Sequence, residues 1–311
     1  MSRRSAILLL LLAALLMGTA STAAALVPAT VPSPTLGAVG LGCGGLLLLA
    51  VFPRRSARVV RDRSTRPAVL LGAVLVCGYA LSYYTSIRYC GVAVSTVVNL
   101  GTAPLFTALI ERARGRRGFS SRWTIGTLIS ITGLVVLAVS TEPAAGRGEA
   151  TPAGDMLIGV GLATLAGLLY AGYTHTSKHA LEHGAHPSGV MGATFGGAGI
   201  LLLPFLIEGI GPLVALPGGI SLAIYLAVVP VFLGFWLFGL ALAHVEARTA
   251  TTVTLVEPVL ASALAARVVH EHIAPLGWVG VAAVVLGLSL ATRLPAAPVA
   301  TELSTPRTQP D

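Results

Sequence analysis

Apolar positions along the chain come in long blocks, not in the alternation of strands. Ten blocks rich in Leu, Val, Ala, Ile and Gly lie near residues 6–26, 35–52, 68–87, 91–110, 123–140, 155–175, 189–207, 220–242, 249–268 and 275–292. Each is close to the roughly 20 residues of helix that cross a bilayer core. Charged residues are nearly confined to the short stretches between blocks, so the pattern predicts membrane-spanning helices. From Arg293 onward the chain is polar and contains proline, and residues 293–311 are expected to form a disordered cytoplasmic tail.

Composition narrows the class. Of 311 residues, 55 % are hydrophobic and 10 % charged, against about 25 % charged in soluble domains. Mean hydropathy is +0.85. A soluble globule cannot hide that much apolar surface, which excludes a water-soluble enzyme or nucleic-acid binder. The net charge of +8 does not point to nucleic acid, because the arginines lie between the apolar blocks. With a cytoplasmic N-terminus, seventeen of the twenty basic residues fall on the cytoplasmic side, including Arg54, Arg55, Arg58, Arg61, Arg63 and Arg66 after the second block. Only Arg88, Arg147 and Arg267 fall outside. This positive-inside bias places both termini in the cytoplasm of a multi-pass inner-membrane protein. An alternative remains at the start: Arg3-Arg4, a leucine run and the small residues Ala20 to Ala25 resemble a cleavable signal peptide, whose removal leaves nine spans. Cys43, Cys77 and Cys90 lie within apolar blocks without metal-ligand spacing and read as small core residues.

The two halves of the chain match at a constant offset of 154: Gly18 with Gly172, Pro104 with Pro258, Gly126 with Gly280, Gly133 with Gly287. Trp123 and Trp278 open equivalent blocks one residue out of register. Five spans per half is an odd number, so the second half enters from the opposite face. Loop charges agree, since the six-arginine loop after block two corresponds to a loop with no Arg or Lys and with Glu208. The expected fold is an all-α integral membrane protein with ten transmembrane helices in two inverted five-helix repeats, residues 1–145 and 146–292. That architecture places a binding site near the midplane between the halves.

The stretches "LLMGTASTAAALVP" in span 1, "GVAVSTVVNLGTAPLFTALIER" through span 4 and "ARTATTVTLVEPVLASALAARVVHEHI" through span 9 resemble the EamA-type members of the drug/metabolite transporter superfamily. "WTIGTLISITGLVVL" and "WVGVAAVVLGLSL" resemble the helix that closes each half of that family. The resemblance covers nearly all of residues 5–292. It implies a ten-helix inverted-repeat bundle that moves small metabolites or drugs across the inner membrane, often outward.

Glu257 is the one acidic residue well inside a block. An ionisable group at that depth is costly and marks a functional site. Without a cation nearby, such an acid suits the uptake and release of protons near neutral pH; the alternative is a neutral Glu bonded between helices. Pro104 and Pro258 sit mid-span and free the carbonyls of Leu100 and Thr254. Broken helices at matching positions point to a transporter site, although a packing kink is tolerated in membranes too. Asn99, Thr102, Thr251, Thr252 and Thr254 precede those prolines and face either a wet cavity or a neighbouring helix. Tyr79 and Tyr83 lie one helical turn apart, Tyr170 and Tyr173 lie in span 6, and Trp236 lies in span 8. Tyr83, Tyr170 and Trp236 are candidates to stack on a cationic or aromatic substrate, or they pack the core. Trp123 and Trp278 read as interfacial anchors.

His175, His179 and His183 recur every four residues at the cytoplasmic end of span 6, as a pH- or metal-sensing face or as solvated histidines at a helix C-terminus. His270-Glu271-His272 lacks the spacing of a zinc hydrolase helix. Gly40, Gly42 and Gly45 match a dinucleotide fingerprint without the strand it needs, and Gly40/Gly44 and Gly192/Gly196 read as helix-packing pairs.

The leading expectation is a secondary transporter working by alternating access, with efflux coupled to protons. An intramembrane enzyme lacks a nucleophile–base pair or paired metal ligands at depth, and a non-transporting scaffold or receptor needs no inverted repeat. No catalytic residue, cofactor, metal or nucleic acid is expected. The expected partners are a small-molecule substrate, the bilayer and protons, with a homodimer as one oligomeric option.

Overall fold

The computed structural model describes residues 1–25, 27, 30–115, 120–140, 153–260, 263 and 274–292, apart from a few side chains. Arg267, His270, Glu271, His272 and the expected tail lie outside the described residues. All regular structure in the described residues is helical, as a chain passing through hydrocarbon requires, because each backbone polar group must be satisfied within the segment. The helices are α1 (Arg3–Ala25), α2 (Ser33–Val51), α3 (Pro53–Arg61), α4 (Arg66–Gly91), α5 (Val94–Ala113), α6 (Ser121–Val139), α7 (Ala153–Glu182), α8 (Pro187–Val214), α9 (Gly219–Leu242), α10 (Ala247–Val253) and α11 (Pro275–Thr292). Eight of them are long and apolar enough to cross a membrane. The apolar part of α6, Ser121–Leu137, is shorter. Beyond α10, a 3₁₀ turn at Thr254–Val256 leads back to helix at residues 257–260.

Local chemistry sets several boundaries. Pro53, Pro67 and Pro187 open α3, α4 and α8 at the position where a missing N–H costs nothing. Ser120 caps α6 by accepting the Trp123 N–H at 3.1 Å. Gly91, at φ 78°, separates α4 from α5 without a loop. α7 is longer than its apolar block: the polar run Thr174–Lys178 stays helical and is buried against the bundle. The Lys178 ammonium donates to the Leu242 carbonyl at 3.0 Å, closing the end of α9.

Small residues let the helices approach. A Cβ at Gly45 would strike the Phe195 backbone, and one at Gly196 would lie 2.6 Å from Leu49 Cβ, so α2 and α8 touch nearly backbone to backbone. Gly44 does the same for α2 against α9, where a Cβ would lie 2.6 Å from the Ala227 carbonyl. The antiparallel crossing of α6 and α11 is tightly packed at four glycines. A Cβ at Gly126 would lie 2.5 Å from the Gly287 carbonyl and one at Gly133 2.7 Å from the Gly280 carbonyl. Between them the Ser130 hydroxyl donates to the Val284 carbonyl at 3.3 Å. Outward positions such as Leu70, Val74, Leu157, Ile207 and Leu286 are exposed and apolar, as lipid contact demands.

One end of the bundle collects the arginines of α3 and the α3–α4 turn, the ends of α5 and α7, and the starts of α6, α8 and α10. There Glu111, with a side chain 2 % exposed, pairs with Arg248 at 3.4 Å. Arg248 also meets Glu246 at 2.7 Å and lies 5.8 Å over the Trp123 ring. Trp123 is therefore buried, its Nε1–H donating to Thr252 Oγ1 at 3.1 Å, and it is not the interfacial anchor its position at a span start implies. Trp278, 54 % exposed, does sit at the surface. Glu111→Ala removes the buried acid that the Arg248 side chain and N–H meet while Glu246 keeps the guanidinium paired, so it is expected to lower stability in detergent by about 2 kcal/mol. Glu246 is 53 % exposed, so Glu246→Ala should cost under about 1 kcal/mol. Chemical denaturation of the two variants side by side checks both values.

Candidate functional site

The 3₁₀ turn that precedes Pro258 places the candidate acid. Pro258 has no N–H to give Thr254, and the Glu257 N–H takes that carbonyl instead, tightening the turn. Pro104 behaves differently. The α-helix runs through it unbroken, with Thr102 and Thr107 hydroxyls bonded to the Val98 and Ala103 carbonyls at 2.7 and 2.8 Å. The two buried prolines thus share a sequence position in each half without sharing a local geometry.

Glu257 is surrounded by protein, yet part of its surface remains accessible, so it faces space inside the bundle. Its carboxylate lies within electrostatic reach of Tyr79, Tyr83, Tyr84 and Tyr170. Among the described residues no basic side chain acts on it. Tyr79, Tyr83 and Tyr84 of α4 are likewise partly accessible. Tyr79 and Tyr83 stack at 5.8 Å with planes 4° apart, and Tyr84 meets Tyr83 edge-on at 5.3 Å. Tyr170 and Tyr173 of α7 join the edge of Tyr79, and Phe195, Phe235 and Phe238 continue the cluster into the core. A π-rich wall bearing hydroxyls and one acid is chemically fitted to a cationic or aromatic molecule.

Hydroxyl partners hold this wall. Tyr83 and Thr96 share a hydrogen bond of 2.7 Å, and the Tyr170 hydroxyl donates to Thr254 at 3.5 Å. Thr254 in turn donates to the Thr251 carbonyl at 2.9 Å. Asn99 is 1 % exposed and its Oδ1 has no hydrogen-bond partner among the described residues. Unmade bonds at such depth are costly.

The structure therefore brings Glu257, Tyr83 and Tyr170 together, with Thr254 beside them. Trp236 lies apart: it stands against Phe52 and Phe232 at 5.7 and 6.3 Å and donates to Ser188 at 3.0 Å, at the arginine-rich end. Tyr84 escapes the one-turn spacing rule that selects Tyr79 and Tyr83. Its signal was the glycine opposite, since a Cβ at Gly37 would lie 2.8 Å from the Tyr84 ring. The histidine face is divided: His175 is buried, the His179 and His183 rings meet at 4.1 Å with planes tilted by 50°, and His186 caps α8 through Nδ1. No group of three metal-ligating side chains occurs among the described residues.

A multi-pass helical membrane protein with a partly accessible acid set among tyrosines of α4 and α7 fits the transporter class. More narrowly, the chain belongs to the EamA-like transporter family, which it matches twice, over residues 4–139 and 157–293. It is 30 % identical over 279 residues to the "Uncharacterized transporter YwfM" of Bacillus subtilis (strain 168), covering 89 % of this chain and 90 % of that one. A solved crystal structure shares the fold with a TM-score of 0.76 at 21 % identity, covering 94 % of this chain and 97 % of the other. The protein is thus a transporter and not an enzyme.

Proposed function

We propose that the protein exports a small cationic or aromatic metabolite or drug-like molecule across the inner membrane in exchange for protons, by alternating access around Glu257. The observation that carries this reading is a partly accessible acid without a basic partner among the described residues, facing tyrosines from α4 and α7. Tyr83, Tyr170 and Asn99 complete the binding wall, and Pro258 and Pro104 shape the helices beside it. In this reading α6 and the helix that begins at Ala247 complete ten spans, and both termini and the arginine-rich end face the cytoplasm.

An inverted repeat, residues 1–145 against 146–292, has independent support at the α6–α11 crossing. A Cβ at Gly126 would meet Gly287 O and Ala291 N; one at Gly280 would meet Gly133 O and Leu137 N. An offset of 154 exchanges the two sets, taking Gly126 onto Gly280, Gly133 onto Gly287 and Leu137 onto Ala291, and Ser130 maps onto its own partner, Val284. The double family match has the same offset within a residue. Two such halves place their pseudo-symmetric site between them.

The test begins with a thermal-shift panel of amino acids, polyamines, nucleosides, sugars and cationic drugs on purified protein. A ligand at about 100 times its Kd should stabilise the fold by about 2.7 kcal/mol. The hit is then loaded into proteoliposomes with an internal pH dye. An imposed pH gradient should drive its flux, and its addition without a gradient should move protons. Flux insensitive to the gradient removes the coupling; no flux for any stabilising ligand removes the carrier reading.

A further inference from the structure

The arginine-rich end holds a second site that the tyrosine chamber does not involve. A cavity of about 130 Å³ opens between α3, the α3–α4 turn and the α7–α8 turn, lined by Arg55, Arg58, Asp62, Thr65, His183 and His186. At about 30 Å³ of liquid per water, it has room for a small oxyanion with its hydration. We propose that this cavity binds a phosphoryl group, presented by the headgroup of an anionic phospholipid.

Three observations favour an anion, against the single carboxylate of Asp62. Arg55 and Arg58 line the cavity, and neither has an ion pair among the described residues. Arg55 meets only an aromatic face, 5.9 Å over Phe52. The N-terminus of α8, a helix of 28 residues, opens onto the same space, so its positive end adds to the two guanidinium groups. His186 supplies a fixed donor. Its Nδ1 accepts the Ser188 N–H at 3.2 Å, which leaves the ring proton on Nε2. Burial, then the Arg55 charge, push this imidazole below its ordinary range, so it stays a neutral donor at pH 7. The one acid in the cavity is engaged: Asp62 Oδ1 accepts the Ser64 N–H at 2.9 Å and its hydroxyl at 2.8 Å. These bonds hold the Asp62 carboxyl below its usual range.

The architecture of α3 explains why the site is rigid. Ser56 and Val59 are buried while Arg54, Arg55, Arg58 and Arg61 are exposed, so the helix lies with one face on the bundle. A Cβ at Gly189 would lie 2.8 Å from the Arg55 carbonyl, and only glycine allows α3 to seat against the first turn of α8. Depth favours a lipid over a free anion. Phe52, under Arg55, meets Trp236 at 5.7 Å beside the cavity, and tryptophan is enriched at headgroup level.

The test uses delipidated full-length protein in detergent and reads its melting temperature as ligand is added. Dioleoyl phosphatidylglycerol should raise it saturably and phosphatidylcholine should not. Arg55→Gln/Arg58→Gln should weaken half-saturation by about tenfold or more, as loss of charge-assisted hydrogen bonds predicts. Arg54→Gln/Arg61→Gln removes the same charge from the same helix outside the cavity and should weaken it by less than about threefold. Inorganic phosphate provides the second arm. Protection by phosphatidylglycerol alone assigns the phosphoryl group to a lipid; equal protection by inorganic phosphate, lost in the same double variant, assigns it to a free anion. Equal losses in the two double variants, or equal protection by the two lipids, would overturn the site and leave only diffuse surface charge.

Discussion

Glu257→Gln should lower flux driven by a pH gradient by about two orders of magnitude, the low end of what a positioned proton-transferring side chain contributes. The variant keeps the size and hydrogen-bonding capacity of the side chain and removes its titration. Its substrate Kd, for a neutral aromatic ligand, should change by less than about threefold, because the tyrosine wall is intact. For a cationic ligand it should weaken by about tenfold or more, as a lost charge partner costs at least about 1.4 kcal/mol. No basic side chain among the described residues acts on the Glu257 carboxylate, so its negative charge is answered by a proton or by a cationic substrate. Those occupancies exclude one another, which is the condition for exchange. Tyr83→Phe and Tyr170→Phe remove one hydroxyl each, with bonds of 2.7 and 3.5 Å; they should cost about 1 kcal/mol in binding and leave coupling in place. Measuring flux and dye-reported proton movement on the same vesicles separates the two effects. A Glu257→Gln variant that still follows the pH gradient sinks the proposed coupling.

Eight of the spans were legible because the bilayer imposes a length on each apolar block and the charges must go between. The limits of that legibility are physical. α7 extends past its block because Thr174, His175, Thr176, Ser177 and Lys178 find a buried protein surface there, where a hydropathy reading places the membrane edge. Trp123 reads as an anchor from its position, yet an indole at a helix start can turn inward when a hydroxyl such as Thr252 accepts its proton. At the site, the depth of Glu257 and the spacing of Tyr79 and Tyr83 were readable. Which aromatic residues share a chamber was not, since that depends on helix rotation. Trp236 and Tyr170 have similar claims in sequence, but one donates to Ser188 at the end of the bundle and the other to Thr254 beside the acid. Tyr84 belongs to the chamber because Gly37 leaves room for its ring, a relation between two helices that neither reveals alone.

Substitutions at the α6–α11 crossing should have a large effect on stability. At Gly126 a new Cβ would lie 2.5 Å from the Gly287 carbonyl and 2.6 Å from the Ala291 nitrogen. Both obstacles are backbone, so no rotamer change relieves them and the helices must separate. Gly126→Leu should therefore exceed the roughly 1–3 kcal/mol of ordinary overpacking and leave little folded protein in detergent. Gly126→Ala is the measurable version, expected at the top of that range. The proposed repeat adds a sharper requirement. Gly280 would meet Gly133 O at 2.6 Å and Leu137 N at 2.7 Å, the counterparts of the Gly126 contacts. Gly126→Ala and Gly280→Ala should then cost the same within about 0.5 kcal/mol. Gly126→Ala combined with Gly287→Ala should cost less than their sum by about 0.5–3 kcal/mol, because one separation of the helices relieves both clashes. A control at Gly161, where a Cβ would meet nothing within 4 Å, should be stabilised or unchanged by alanine. Equal single costs with strong coupling fit two halves related by a two-fold axis through Ser130 and Val284. Unequal costs at Gly126 and Gly280 would place that symmetry in the sequence but not in the energetics of the crossing.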